Sequence, residues 1–465
     1  MNAPTIWIIA PAFAAILLFP IRNQRALSIL GGTIAVLLAL TAQFIPIGEA
    51  LKLGANSFKI DDSLAVFGRV LQLRSAEGSL LAMIYGATAL WFFGAEASGK
   101  ARNIVPYGLL ITTLMVASIA VEPFLYAALF IEMAILLAIP MLVSINQVPG
   151  HGVVRFFIYQ TLAMPFILLS GWLLAGVEAS PGDISLAAQA ASMLGLGFAF
   201  LLAIFPLYNW IPLLAEESSP YIVGFLLWIL PTVTIIFGAG FLDRYSWLRS
   251  SPQTTAALQF VGLLMIVTGG FWAATQRDLG RIMAYGSVAE TGFSILALSL
   301  NSRVGIPILF LLLPARALGL AVWSLSLTIF KNNAESMQFA AVRGMLRNFP
   351  FAGGALILAS LSTSAFPLLA GFPARLALWE NLSRLSIGAA LWMGIGIIGL
   401  LTSSFRSLAV LSMADEDIGW EVHEDWLQGI MLGLGVIGLF VLGLFPQLLQ
   451  YFLSNLPAMF ERLGR

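Results

Sequence analysis

Two proline-bracketed segments interrupt long apolar runs of this chain. They are PLYNWIP, from Pro206 to Pro212, and PLLAGFP, from Pro367 to Pro373. A proline inside a helix lacks a backbone donor and leaves a carbonyl without its usual partner. Hydrocarbon tolerates such a carbonyl only where it is buried in protein or lines a wet cavity. The pattern therefore predicts a membrane protein with two broken helices around an internal polar site, an arrangement typical of transporters.

The composition supports a membrane location and excludes several other classes of protein. Of the 465 residues, 59% are hydrophobic and only 10% are charged, whereas a soluble domain carries about 25% charged residues. The formal net charge is zero, which excludes a dominant basic surface for nucleic acid. There are no cysteines, and the two histidines, His151 and His423, lie far apart in the sequence. We therefore expect no disulfide, iron–sulfur cluster, bis-histidine haem, metal or other cofactor here, and we expect any redox chemistry in a partner chain.

The apolar runs predict an all-α, polytopic membrane protein with about 14 transmembrane helices in a single membrane domain, residues 1–465. Each run is roughly 17–25 residues long, which is enough to span a bilayer as a helix. The first run, 6–20, has no basic segment before it, so we expect a retained helix rather than a cleaved signal peptide. The predicted helices are 4–20, 27–45, 78–94, 104–120, 122–144, 154–176, 190–212, 220–241, 256–275, 281–300, 304–330, 350–376, 386–412 and 428–452.

Three of the connections between these predicted helices carry many charged residues. Spaced apolar residues at 62–73 predict an amphipathic helix at the membrane interface. Residues 331–349 predict a short surface helix, and the acidic stretch 413–426 predicts a solvated loop. None of the three resembles a linker between domains.

Several features recur at nearly one offset, which predicts an internal repeat. Five helices fall in 104–241 and five in 256–412, and an odd number would place the second copy in the opposite orientation. The offset is about 158 residues for the first pair and about 161 for the other two. The pairs are Glu132 with Glu290, Arg155 with Arg316, and Pro206 with Pro367.

Two carboxylates at membrane depth are candidates for carrying protons. Even on the lenient insertion scale an ionised group at this depth costs roughly 2.5–3.5 kcal/mol, so such groups are usually functional. About ten apolar residues flank Glu132 on either side, and Glu290 lies about ten residues past Arg281. The alternative for each is a structural ion pair or a neutral, hydrogen-bonded acid.

The arginines at membrane depth need a different interpretation. Guanidinium does not lose its proton in proteins, so Arg316 and Arg375 cannot relay protons by titrating. They could hold a carboxylate ionised, orient water or bind an anion, or they could be structural counter-ions, with Glu380 a possible partner of Arg375. Arg155 lies close to a helix start and could be merely interfacial. The four lysines, at 52, 59, 100 and 331, all fall outside the predicted spanning helices, so no buried lysine is available to switch charge near neutral pH.

Five segments, taken in order, resemble the antiporter-like membrane subunits. That family includes the large proton-pumping subunits of respiratory complex I, the Mrp-type cation/proton antiporters and the membrane-bound hydrogenases. The resemblance covers roughly residues 100–410. It is carried by FIEMAILLAIP at 130–140, RFFIYQ at 155–160, PLYNWIP at 206–212, QRDLGRIMAYGSVAETGF at 276–293 and GFPAR at 371–375.

This chain departs from the family at most of the relay positions. The resemblance places the family's seventh-helix lysine on Leu201 and its eighth-helix lysine on or beside Thr232. The family's eleventh-helix His and Lys fall on Arg316 and Leu320. Its tenth-helix His falls on Glu290, its twelfth-helix Lys or Glu on Arg375, and the seventh-helix His on Tyr208. Only Glu132 of the central relay keeps its usual form, so the resemblance implies the fold but not an intact pumping mechanism.

The resemblance implies an antiporter-like subunit in the membrane arm of a complex-I-like, redox-driven proton translocase, with an altered or impaired proton channel. Its expected partners are other membrane subunits, the lipid bilayer, and protons or cations. Its expected location is a bacterial plasma membrane or an energy-transducing organelle membrane. An Mrp-type antiporter subunit, a subunit for inorganic-carbon uptake and a scaffold without transport remain as alternatives. Whether the assembly is an enzyme of the quinone oxidoreductase or hydrogenase type stays open.

Overall fold

The chain is a multi-pass, all-α integral membrane protein. The computed structural model describes residues 2–53, 56–66, 68–143, 148–180, 182–300, 302–413 and 420–463. Within these residues, eleven helices are long and apolar enough to cross a membrane. Many large apolar side chains on the outer helix faces are exposed, among them Phe13, Phe260 and Ile398, as expected of surfaces that meet lipid.

The helices follow one another with short connections. A π-helical turn, Thr5–Ile9, leads into α1. In chain order the α-helices are α1 Ala10–Leu18, α2 Gln24–Phe44, α3 Gly78–Ala97, α4 Ala101–Ala120, α5 Ala127–Leu142, α6 His151–Ala179, α7 Ile184–Leu201, α8 Trp210–Glu217, α9 Pro220–Arg244, α10 Ser246–Arg249, α11 Pro252–Thr275, α12 Leu279–Leu298, α13 Ser302–Asn333, α14 Pro350–Thr363, α15 Phe372–Leu385, α16 Ile387–Ser412, α17 Trp426–Leu444 and α18 Gln447–Leu453.

Polar residues that precede the apolar runs define several helix starts. A side-chain oxygen at the N-cap accepts hydrogen bonds from the first free backbone N–H groups of a helix. Asp183 caps α7 in this way, and its carboxylate accepts from the amides of Ser185 and Leu186. The other side-chain caps in the described residues include Asn23 at α2, Ser251 at α11, Asp278 at α12 and Ser386 at α16.

All fourteen predicted spans contain helix. Three of them fall outside the eleven long apolar helices, for different reasons. The first is the short span made by the π-helical turn and α1, and the second, α12, carries polar and charged residues. The third is a broken pair, α14 with α15.

Two predictions about the connections are wrong. Where 62–73 predicts an amphipathic helix, residues Ser63–Val66 and Arg69–Gln72 form paired antiparallel strands, because the alternating pattern also fits a strand. Residues 334–349 form turns, while α13 itself extends to Asn333. Of the predicted acidic loop, 414–419 lies outside the described residues, and 420–425 has no helix or strand. The strands are β1 Ala50–Leu53, β2 Asn56–Lys59, β3 Ser63–Val66, β4 Arg69–Gln72 and β5 Val121–Glu122, with β1 paired to β2 and β4 lying between β3 and β5.

Two groups of five helices pack in the same way. In the first group, α4 contacts α5 and α9, α5 contacts α6, and α6 contacts both α7 and α8. In the second, α11 contacts α12 and α16, α12 contacts α13, and α13 contacts both α14 and α15. Each group contains one broken helix, and we refer to the two groups below as the first and second repeats; that one is an inverted copy of the other stays a prediction. The groups meet where α12 packs on α8 and α9, and where α13 packs on α9.

Glycine allows the closest contact between helices in the second group. A Cβ atom added at Gly270 of α11 would lie 2.1 Å from the carbonyl oxygen of Gly396 in α16. Small residues let membrane helices approach until their backbones touch, which maximises the van der Waals contact between them.

Candidate functional site

The first break lies between α7 and α8. Helix α7 ends at Leu201, Ala203 takes a left-handed φ of 51°, and Trp210 begins α8. The break removes the ordinary partner of the Leu201 carbonyl. Gln160 of α6 replaces it, because its Nε2 donates to the Leu201 oxygen over 3.2 Å. The first break is thus capped by a neutral amide.

The second break lies between α14 and α15 and has the same backbone feature. Helix α14 ends at Thr363, and Ala365 and Leu368 take left-handed φ values of 58° and 72°. Here Arg375 adds a charged donor: its Nη1 donates over 2.8 Å to the carbonyl of Ser362, which also accepts from the amide of Ala365 over 3.3 Å. The hydroxyl of Ser362 accepts from the amide of Gly371 over 3.1 Å. The second break is thus capped by a cation.

Arg375 also forms a buried ion pair with Glu290 of α12. Its Nη2 contacts Oε1 of Glu290, and the two side chains are 1% and 5% exposed. The guanidinium lies 4.8 Å from the ring centroid of Phe293, one turn along α12. Because Arg375 sits just past the second break, the ion pair ties that break to the centre of the second repeat.

Arg316 of α13 repairs a third backbone defect. Pro231 lies inside α9 and has no N–H, so the carbonyl four residues earlier, at Leu227, loses its helical donor. Arg316 Nη2 donates to that carbonyl over 2.8 Å and to the hydroxyl of Thr291 over 3.0 Å. The side chain is only 1% exposed. Arg316 therefore joins α9 of the first repeat to α12 of the second.

A narrow cavity connects the first break with Arg316. Residues of the break, Leu201 to Ala203, line it together with Gln160, Trp210, Thr291 and Arg316. Its free space is about that of a single water molecule. Arg316 bonds to Thr291, the neighbour of Glu290 in α12, and we call Gln160, Arg316 and the Glu290–Arg375 ion pair together the polar axis.

Glu132 lies apart from this axis. It is half-buried on α5, and its Oε1 accepts from the hydroxyl of Thr161 on α6 over 2.8 Å. No ion pair in the described residues joins it to an arginine, and its Oε2 is buried without a protein donor. The structure thus separates Glu132 from Glu290, although the repeat relates the two positions.

Arg155 and Glu380 lie at the surface. Arg155 is exposed on α6 beside a pocket that Pro206, Tyr208 and Arg281 also line. The suggested pairing of Glu380 with Arg375 is wrong, because Glu380 pairs with the exposed Arg384 one turn later on α15. Arg375 points inward to Glu290 instead.

The sequence did not identify two partners at these sites. One is the Leu227 carbonyl, which accepts from Arg316, and the other is Gln160, which serves at the first break as Arg375 does at the second. Gln160 stood within a quoted motif, and Pro231 within a predicted helix, but neither was singled out. A proline in the middle of an apolar run was the available signal for the Leu227 carbonyl. Lys331 lies in the last turn of α13 instead of outside it, where its Nζ donates to the carbonyls of Glu216 and Ser218, each over 2.9 Å.

The sequence matches a known family over its central part. Residues 183–402 match the family described as NADH:quinone oxidoreductase/Mrp antiporter, transmembrane. NADH-quinone oxidoreductase subunit 14 of Thermus thermophilus is 27% identical over 326 residues, which cover 67% of this chain and 71% of that protein.

Solved structures agree with the fold over its whole length. A chain of the membrane-bound sulfane sulfur reductase, an archaeal respiratory membrane complex, superposes with a TM-score of 0.83 at 16% identity and covers 100% of this chain and 99% of that one. A chain of the Mrp complex from Dietzia sp. DQ12-45-1b superposes with a TM-score of 0.79 at 16% identity, covering 98% and 97%. Over residues 183–402 the sequence is therefore similar to this family, and chains of both respiratory and Mrp complexes share its fold over nearly the whole length.

Proposed function

We propose that this chain is an antiporter-like subunit in the membrane arm of a complex-I-like, redox-driven proton translocase, and that its own polar axis does not conduct protons. Its partners are other membrane subunits, which carry the redox chemistry and most of the proton movement. The relatives named for NADH-quinone oxidoreductase support the first part of this proposal. The buried Glu290–Arg375 ion pair carries the second part.

A proton path needs groups that gain and lose protons in turn. The charged side chains buried in the described part of the chain are Glu290, Arg316 and Arg375. Two of these are guanidinium groups, which keep their protons. The third is a carboxylate that is already held in an ion pair with one of these guanidinium groups. The axis therefore acts as a brace that supplies donors to backbone defects.

The cleanest test compares coupled pumping with and without the Glu290 carboxylate. We would purify the whole complex through a tag on this chain, reconstitute it in proteoliposomes, and measure protons moved per electron transferred. Glu290→Gln keeps the size of the side chain and removes the ionisable group. We expect the ratio of protons to electrons per assembled complex to stay unchanged.

Two further variants serve as comparisons for the proton-to-electron ratio of Glu290→Gln. Glu380→Gln removes an exposed carboxylate from α15 and serves as the control for tag, reconstitution and yield. Glu132→Gln tests the carboxylate that lies outside the axis. A lower proton-to-electron ratio in Glu290→Gln, with Glu380→Gln unchanged, would contradict the proposal of a silent axis.

The same preparation tests the proposed assembly. A redox-driven translocase should co-purify with subunits that reduce a quinone or a similar acceptor, and proton uptake should require electron transfer. A preparation that contains only other antiporter subunits, and that exchanges cations for protons without any redox step, would contradict this part of the proposal.

A further inference from the structure

The cavity beside Arg316 carries an unbalanced positive charge. Among the described residues, the buried charged side chains are Glu290, Arg316 and Arg375. Glu290 and Arg375 balance each other in their ion pair. Arg316 bonds only to a carbonyl and a hydroxyl, both of which are neutral. A buried charge without a counter-charge is strongly destabilising, so the charge of Arg316 needs an explanation.

The same cavity has N–H groups without protein acceptors. Nε and Nη1 of Arg316 are buried and have no hydrogen-bond partner among the described residues, and the same is true of the indole Nε1 of Trp210. Both side chains line the cavity, and they are 1% and 4% exposed. Guanidinium and indole nitrogens can donate but cannot accept. Three donors without acceptors and one positive charge therefore belong to two side chains that line one small space.

We propose that this cavity binds one small monovalent anion of the halide class, with chloride as the natural occupant. The anion accepts from Arg316 and from the indole of Trp210, and it neutralises the positive charge that Glu290 leaves uncompensated. A water molecule could satisfy the donors, but it would leave that charge in place. The space, about that of one water molecule, is too small for phosphate, sulfate or bicarbonate, and a chloride ion, which is slightly larger than water, enters it with a small outward shift of the lining side chains.

This site has a structural consequence for the two repeats. The cavity is lined by the first break, by α9 and by α12, and Arg316 of α13 bonds to Leu227 of α9 and to Thr291 of α12. An anion there holds the two repeats together beside the first break. The inference goes beyond the proposed function, because anion binding does not depend on whether the assembly pumps protons.

The first experiment uses the unmodified complex. Its melting temperature is measured in chloride, bromide and gluconate salts at constant ionic strength. We expect chloride and bromide to raise the melting temperature in a saturable way, and gluconate, which is too large for the cavity, to leave it low. Crystals of the complex grown in bromide should show an anomalous peak within hydrogen-bonding distance of Arg316 and Trp210.

Variants test whether the halide effect on the melting temperature arises at this cavity. Trp210→Phe keeps an aromatic ring and removes one donor, so the halide concentration for half the effect should rise about tenfold. Arg316→Met removes the charge and should abolish the halide dependence. Arg384→Met, which removes an exposed arginine from α15, should keep the dependence of the unmodified complex.

Two outcomes would overturn the proposal. A melting temperature that is independent of the salt, with no bromide peak at Arg316, would mean that the cavity holds water. A halide effect of unchanged size and midpoint in Trp210→Phe would mean that the ion acts elsewhere. Neither outcome bears on proton pumping, and an altered proton ratio in Glu290→Gln would leave the anion site standing.

Discussion

The two broken helices share a backbone design but differ in the side chains that complete it. Each has an alanine with a left-handed φ just past the end of its first half, Ala203 in one and Ala365 in the other. In the first, Gln160 supplies a neutral donor to the freed carbonyl. In the second, Arg375 supplies a charged donor and is balanced by Glu290. A backbone break therefore requires a donor but does not require a charge.

The difference extends beyond the breaks. At the offset that relates Pro206 to Pro367, Leu214 corresponds to Arg375, and Leu214 is fully buried. Arg155 corresponds to Arg316 in the same way, yet Arg155 is exposed. Among the described residues, the buried charged side chains therefore all belong to the second group of helices.

The largest expected effect is the loss of the second repeat's counter-charge. Glu290→Leu leaves Arg375 buried without a partner, which should cost about 3–5 kcal/mol of stability. The melting temperature of the purified complex, and the amount of this chain retained in it, should both fall sharply. In the double variant with Arg375→Leu, part of that loss should return, because a buried pair can often be replaced by apolar groups. Additive losses in the double variant would show that the two side chains do not act as a pair.

A smaller effect is expected at the first break. Gln160→Leu removes a neutral donor and leaves the Leu201 carbonyl unsatisfied, which should cost about 1–3 kcal/mol. The same melting experiment measures it, and Gln253→Leu at an exposed helix start is a control. If Gln160→Leu destabilised the complex as much as Glu290→Leu, the neutral cap of the first break would matter as much as the charged cap of the second.

A third prediction concerns Arg316 and Pro231. Pro231→Ala restores a backbone N–H that can donate to the Leu227 carbonyl. Arg316→Met should therefore destabilise the complex less in the Pro231→Ala background than alone, with a coupling of about 1 kcal/mol. A double-mutant cycle of melting temperatures, at constant chloride concentration, measures this coupling. Zero coupling would mean that Arg316 does not replace the proline's missing donor.

The smallest effect is expected at Glu132. Glu132→Gln keeps an oxygen that can accept from Thr161, so the change in stability should stay below about 1 kcal/mol. If Glu132 were part of the same charged axis as Glu290, its neutralisation would instead destabilise the complex as strongly as that of Glu290. Measuring the melting temperatures of the Glu132 and Glu290 variants under the same conditions shows whether Glu132 belongs to the charged axis.

The positions of the helices and breaks could be predicted because their causes are local. Apolar length determines which segments span a bilayer, and proline removes a backbone donor wherever it occurs. The short connections were harder, since spaced apolar residues at 62–73 fit an interfacial helix and a hairpin equally well. The amphipathic pattern alone could not decide between them.

The partners of the buried charges depended on tertiary structure. Glu290 and Arg375 lie 85 positions apart in the chain, and the carbonyl that Arg316 meets is 89 positions away. Nothing in the local sequence of α15 distinguishes an arginine that turns inward to Glu290 from one that pairs with nearby Glu380. The sequence determined where the backbone would lack donors, because that follows from covalent chemistry. Only the packing of α6 and α13 against their neighbours decided that Gln160 and Arg316 would supply them, because those donors lie 41 and 89 positions from the carbonyls that they reach.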